Sequence, residues 1–203
     1  MRKSFLSVAL LAASALGAGA APLWLRNVAI SPDGSTIAFT YKGNIFTVPA
    51  KGGDARQLTS GSSYNTAPVW SPDGSKIAFG SDRDGSMDVF VVNSKGGVPR
   101  RLTTNSGAEI PLAFKDDNNV LFSTYNLPPP AAAQAGFSPQ VYTVDLDGHR
   151  PKMFVSLTMP SLRVNPDGRI LYHDKKGVEN VWRKHERSSG TSDVWVLDNG
   201  KHT

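Results

Sequence analysis

Three short stretches of this chain hold side chains whose types and spacing suggest chemistry. His173-Asp174 places a base next to an acid, as half of a hydrolytic triad would. Neighbouring strand residues project to opposite faces, however, so the two groups would not meet, and no Gly-x-Ser-x-Gly elbow accompanies them. Asp82-Arg83-Asp84-Gly85-Ser86-Met87-Asp88 alternates oxygen donors in a way that suggests calcium. Its glycine is misplaced for a helix-loop-helix site, and Asn93 stands where the bidentate glutamate would be. A turn whose acids bond backbone amides is the simpler account. Trp182, Arg183, Lys184 and His185 form a candidate substrate-binding set, because Arg and Lys offer charge-assisted donors to a peptide carboxylate. The plainer reading is a structural flap with solvated charges. Without cysteine, the chain has no thiolate nucleophile, thiolate ligand or disulfide. The expectation is a chain with no catalytic residue, metal site or cofactor of its own.

These stretches follow a distinct beginning. Arg2 and Lys3 precede an apolar run from Phe5 to Leu16, then small residues ending in Ala18-Gly19-Ala20. That is the pattern of a secretory signal peptide over residues 1–20, cleaved before Ala21. The run is shorter than the roughly 20 residues a membrane span needs, so no membrane insertion is expected after its removal. The location expected is exported, periplasmic or extracellular. The formal charge of +5 falls to +3 when Arg2 and Lys3 leave, and the remaining cations are scattered. Nucleic acid is therefore not an expected partner.

The elements that position the candidate residues come from an internal repeat. Val28-Ala29-Ile30-Ser31-Pro32-Asp33-Gly34-Ser35-Thr36-Ile37-Ala38-Phe39 recurs 40 residues later as Pro68-Val69-Trp70-Ser71-Pro72-Asp73-Gly74-Ser75-Lys76-Ile77-Ala78-Phe79. Each copy leads to a second apolar strand, a Gly-Gly pair and a Leu-Thr pair: Leu58-Thr59 and Leu102-Thr103. Looser copies run through Val120-Leu121-Phe122 and, after Asn165-Pro166-Asp167-Gly168, through Ile170-Leu171-Tyr172. Pro fits the second position of a turn, Asp bonds the backbone ahead, and Gly takes a positive φ. The flanking Ile, Val, Phe, Trp and Thr suit strands. Four short strands per unit of about 40 to 50 residues is a β-propeller blade. A β-sandwich offers many strands too, but lacks such a repeat. The expected fold is all-β: a partial β-propeller over 21–203, with four-stranded antiparallel blades near 23–60, 64–104, 107–156 and 159–203.

In the first two blades the Leu lies five residues after the second Gly; five residues after Gly200 lies past Thr203. The fourth blade is therefore expected to stop inside its outermost strand, as in a fragment of a longer protein. A four-bladed propeller is the competing reading. Insertions at Leu127-Pro128-Pro129-Pro130-Ala131-Ala132-Ala133 and from Val178 to Ser192 extend the central hairpins of blades three and four, where they would cover a face or carry binding residues.

The Pro-Asp repeats resemble those of exported propellers: the Tol-system propeller and the N-terminal propellers of tricorn-like and prolyl-oligopeptidase-like peptidases. The chain looks most like the tricorn-like group, through Pro22-Leu23-Trp24-Leu25-Arg26, through Ile37-Ala38-Phe39-Thr40-Tyr41-Lys42-Gly43, and through Tyr172 to His185. Lys115-Asp116-Asp117-Asn118-Asn119 departs from the family's Pro-Asp-Gly turn. The resemblance implies a parent serine peptidase whose propeller filters or holds a peptide or protein substrate, with a PDZ-like module and the catalytic groups far downstream, and a parent open to oligomeric assembly. The rival implication is a non-enzymatic, protein-binding propeller of the Tol type, or the propeller of a prolyl-oligopeptidase-like enzyme.

Overall fold

A computed structural model of the chain describes residues 24–124, 139–155, 157, 159–175 and 192–203. The leader, the Pro- and Ala-rich insertion, and the candidate residues Trp182, Arg183, Lys184 and His185 lie outside the described residues. Every element is a strand, and the strands form four antiparallel four-stranded sheets in chain order. Blade one holds β1 (Arg26–Ile30), β2 (Thr36–Tyr41), β3 (Asn44–Pro49) and β4 (Arg56–Gln57). Blade two holds β5 (Asn65–Trp70), β6 (Lys76–Asp84), β7 (Ser86–Asn93) and β8 (Arg100–Arg101). Blade three holds β9 (Glu109–Asp116), β10 (Asn119–Thr124), β11 (Gln140–Asp145) and β12 (Lys152–Val155). Blade four holds β13 (Ser161–Val164), β14 (Ile170–Lys175), β15 (Ser192–Asp198) and β16 (Lys201–His202). The first strands line up, β1 beside β5, β5 beside β9 and β9 beside β13, giving the propeller arrangement that the repeat predicts.

The Pro-Asp turns are closed by their own side chains. The Gly34 N–H donates to the Ser31 carbonyl at 2.9 Å, and Gly34 sits at φ +71° with nothing within 4 Å of an added Cβ, so the glycine serves backbone conformation alone. Ser31 Oγ donates to Asp33 Oδ1 at 2.5 Å and accepts from the Thr36 N–H at 2.9 Å. The same bonds recur between Ser71, Asp73 and Lys76 in blade two. Hydrogen bonds from Ser31 and then Ser35 hold the Asp33 carboxyl down from 3.8 to about 2. Blade three, despite its different sequence, closes as tightly: Asn119 pairs with Asp116, and Asp116 Oδ1 accepts from the Asn118 N–H at 2.9 Å.

Each central hairpin carries one cross-strand pair of rings in register: Phe39 with Phe46, Phe79 with Phe90, Phe122 with Tyr142, and Tyr172 with Trp195. In the first three blades the ring centroids are 5.8, 6.1 and 6.0 Å apart. The core lies between blades. Ala38, Ile45 and Leu58 of blade one pack with Ile77, Phe79 and Phe90 of blade two. Val89 and Leu102 pack with Phe114 and Phe122, and Leu121 and Val141 with Leu162 and Tyr172.

Blade four reaches its outer strand by a different turn. Asn199 and Gly200 take φ +48° and +79°, a two-residue hairpin loop, and Thr203 exchanges backbone bonds with Val196. That places Thr203 where Arg56 faces Thr47 in blade one. The buried Leu and the hydrogen-bonding Thr that follow β4 and β8 have no counterpart among the described residues of blade four.

Both ends of the row are open. Ile45, Val89 and Val141 occupy one repeat position and are 0% exposed, whereas Val194 at that position is 70% exposed. Likewise Ala38, Ala78 and Leu121 are 0% exposed and Leu171 is 48%. At the other end Ile30 of β1 is 60% exposed, while its equivalent in blade three, Phe114, is buried against blade two. Apolar residues of one repeat thus differ only in whether a neighbouring blade covers them.

Val141→Ser, at a covered position, is expected to cost about 3 kcal/mol by chemical denaturation. The Asp33 shift predicts an acid limb: a carboxyl depressed in the fold stabilises above its unfolded value and loses that contribution as pH falls toward about 2. Denaturation midpoints of parent and Asp33→Asn should therefore differ at neutral pH and converge as pH drops below about 4.

Candidate functional site

The antiparallel connections put the Pro-Asp turns and the Gly-Gly loops on one rim. There, between blades one and two, lies a cleft of about 630 Å³ lined by Pro32, Pro49, Trp70, Pro72, Asp33, Asp54, Arg56, Asp73 and Lys95 among others. Trp70 stands where blade one has Ile30 in the repeat, and its indole N–H donates to the Ala29 carbonyl at 3.1 Å, tying β5 to β1. Arg56 of β4 donates to the carbonyls of Lys95 and Ser94 at 2.7 and 2.8 Å. The guanidinium thus stitches blade one to the turn of blade two. Asp33 and Asp73 are taken by their turn serines, whose hydrogen bonds hold both carboxyls below the usual carboxylate range. The side chains of Asp54 and Lys95 make no ion pair or hydrogen bond among the described residues and face the cleft. The arrangement offers apolar proline and tryptophan surface, one free carboxylate and one free ammonium, which suits a polar chain such as a peptide better than any bond-breaking step.

The sequence candidates fall elsewhere. In Asp82 to Asp88 the carboxylates are turned to separate partners. Asp82 Oδ1 accepts from the Tyr64 N–H at 2.7 Å, Asp84 lies 3.6 Å from Arg101, and Asp88 pairs with Arg101 at 2.6 Å. Acids spent on a backbone amide and an arginine make this a structural turn. His173 pairs in register with Ser161 and Val194, and its Nδ1 is buried without a hydrogen-bond partner, so no acid among the described residues orients that nitrogen as a general base requires.

Asp145, Asp147 and His149 gather within 4.8 Å on the exposed loop after β11, a cluster the repeat reading missed because its residues sit outside the repeat pattern. Asp145 Oδ1 accepts from the Asp147 and His149 N–H groups at 3.0 and 3.1 Å, and Oδ2 meets His149 Nδ1 at 2.8 Å. Those bonds, the backbone one from His149 first, lower the Asp145 carboxyl, and they account for the geometry as a loop clamp.

Fold, turns and blade junctions together define a β-propeller domain of the Pro-Asp repeat kind. The chain belongs to the family described as the tricorn protease N-terminal beta propeller domain, whose model matches residues 22–203. Tricorn protease homolog 1 of Streptomyces coelicolor is 38% identical over 84 residues, covering 41% of this chain and 8% of that protein. An uncharacterized protein of Agrobacterium fabrum, Atu1656, is 30% identical over 155 residues, covering 68% of this chain and 50% of that protein. The chain thus spans half or less of these relatives' length. Among solved structures, the tricorn protease superposes with TM-score 0.66 at 23% identity, over 88% of this chain and 18% of that one. A putative TolB from Agrobacterium tumefaciens gives 0.64 at 23% identity, over 87% of this chain and 63% of that one.

Arg56→Ala is expected to cost about 1 kcal/mol in urea denaturation, the net worth of two exposed hydrogen bonds rather than of a buried charge. A cost below about 0.3 kcal/mol would show that the stitch between blades one and two holds nothing.

Proposed function

We propose that this chain is the non-catalytic N-terminal propeller of a longer, exported serine peptidase of the tricorn kind, holding or gating peptide substrates for a protease core carried elsewhere in the parent protein. The observation that carries this reading is the family match across residues 22–203. The likeness in sequence to the Streptomyces tricorn homologue supports it. Residues 1–20 act as the cleaved leader that exports the protein to the periplasm or beyond. Residues 21–203 form the propeller, its blades near 23–60, 64–104, 107–156 and 159–203. Peptide contacts come from the rims and hairpin insertions, and Trp182, Arg183, Lys184 and His185 supply charge-assisted donors for a peptide carboxylate. The parent assembles as an oligomer.

A second reading, a protein-binding scaffold of the Tol type, is favoured by the coverage of 63% of the putative TolB chain. Reading the genomic DNA beyond the Thr203 codon separates the two. A continuation with more blades, then a PDZ-like module and a serine peptidase region, is expected. A stop codon without a frameshifted continuation would leave a binding propeller and remove the peptidase assignment. Export is checked by the mass of the protein recovered outside the cytoplasm, expected to begin at Ala21; retention of residues 1–20 in a cytoplasmic product would overturn it.

A further inference from the structure

On the rim opposite the Pro-Asp turns, the chain crosses from one blade to the next, and the same four repeat positions meet at successive crossings. At the crossing from blade one to blade two they are Asn44, Gln57, Thr59 and Asn65. The set is uncharged and fully engaged: Thr59 Oγ1 accepts from the Ile45 N–H at 2.9 Å and donates to Asn44 Oδ1 at 3.1 Å, Asn65 Nδ2 donates to the Gly43 carbonyl at 2.8 Å, and Gln57 Nε2 donates to the Thr59 carbonyl at 2.7 Å. At the crossing from blade two to blade three they are Asp88, Arg101, Thr103 and Glu109. The frame is unchanged, with the Val89 N–H donating to Thr103 Oγ1 at 2.9 Å and Arg101 Nε donating to the Thr103 carbonyl at 2.8 Å. Two amides have become carboxyls and a third has become a guanidinium.

The exchange leaves hydrogen-bonding atoms unsatisfied. Asp88 and Glu109 are both 0% exposed. Arg101 satisfies Asp88 Oδ2 at 2.6 Å, but Asp88 Oδ1, both Glu109 oxygens and Asn105 Nδ2 are buried with no hydrogen bond of good geometry. Buried orphans of this kind need a ligand. One cation, Arg101, stands against two carboxylates. The other groups facing Glu109 change little. On β6, Asp84 contacts Arg101 from the solvent side, while Arg83 is spent on Asn65 and Ser81. Thr124 of β10, the register partner of Glu109, is uncharged.

We propose that Asp88 and Glu109 form an acid pair that binds one proton between them, so that the crossing from blade two to blade three holds a proton in the fold and loosens when that proton is lost. A single proton joins two of these four atoms: it turns one Glu109 oxygen into a donor beside the acceptor Asp88 Oδ1, and leaves Arg101 neutralising one carboxylate instead of facing two. Burial pushes the Glu109 carboxyl up; long hydrogen bonds from Thr103 and the Asn105 backbone oppose it, and the neighbouring Asp88 adds a smaller upward push. The sign follows: a carboxyl raised in the fold binds its proton more tightly folded than unfolded. Its stabilisation is full below the unfolded value and falls as pH rises through the folded one.

The chain has three glutamates, Glu109, Glu179 and Glu186, so carboxyl-13C glutamate labelling of the exported protein gives three resonances. One is expected to titrate well above the ordinary 4.5, and to vanish in the triple variant Asp88→Asn, Arg101→Gln, Glu109→Asn, which copies the amide set already packed at the preceding crossing. Over the same window the unfolding constant of the parent should rise about tenfold per pH unit relative to that variant. Three glutamates titrating together near the ordinary value in the native parent would overturn the proposal without recourse to any variant. Equal pH slopes for parent and folded triple variant would overturn it as well.

Discussion

A four-stranded blade cannot bury both of its faces, and everything else in this structure follows from that. The hairpin residues alternate between two apolar faces, one turned to the preceding blade and one to the next. Val141 is buried because blade four lies against it; Val194, in the same place one blade later, is bare. The free energy of about 25 cal/mol per Å² of apolar surface removed from water is therefore earned at junctions, not within sheets. Stability in such a row is a sum over neighbouring pairs, and its ends stay sticky until something covers them.

The junctions have a division of labour. Their centres are apolar, with a ring pair on each central hairpin bracketed by Ile, Val and Leu. Their rims are polar and carry the geometry. On one rim, Ser and Asp side chains close the turns, and Arg56 and Trp70 reach across the junction between blades one and two from opposite sides. On the other, Asn65, the first strand residue of blade two, is tied to the Gly43 carbonyl in the central hairpin of blade one. Because the centres repeat closely and the rims do not, chemistry that differs from blade to blade is confined to rims and insertions. A propeller that holds a peptide or a protein would be read there.

The repeat was legible because the turn needs Ser, Pro, Asp and Gly in that order, and because strand faces alternate with period two. Those local demands mark all four blades, even where Asp117-Asn118 replaces Pro-Asp-Gly in blade three. The cleft beside Trp70 was much less legible. Arg56 reads as one more exposed cation until β4 is placed against the loop at Ser94 and Lys95, some forty residues away. The acids from Asp82 to Asp88 read as a possible ion loop until their partners Tyr64 and Arg101, both outside the loop, were in place.

The sequence by itself determined that this is a row of propeller blades, where each turn falls, and that no local catalytic motif is present, since all of these rest on interactions within a few residues or on composition. Only the tertiary structure decided which apolar residues are covered and which are bare, and that Asp88 and Glu109 are buried beside one Arg101 where the preceding crossing has amides. Burial and partnership depend on which blade lies against which, and that contact is made between residues far apart in the chain, where spacing carries no information.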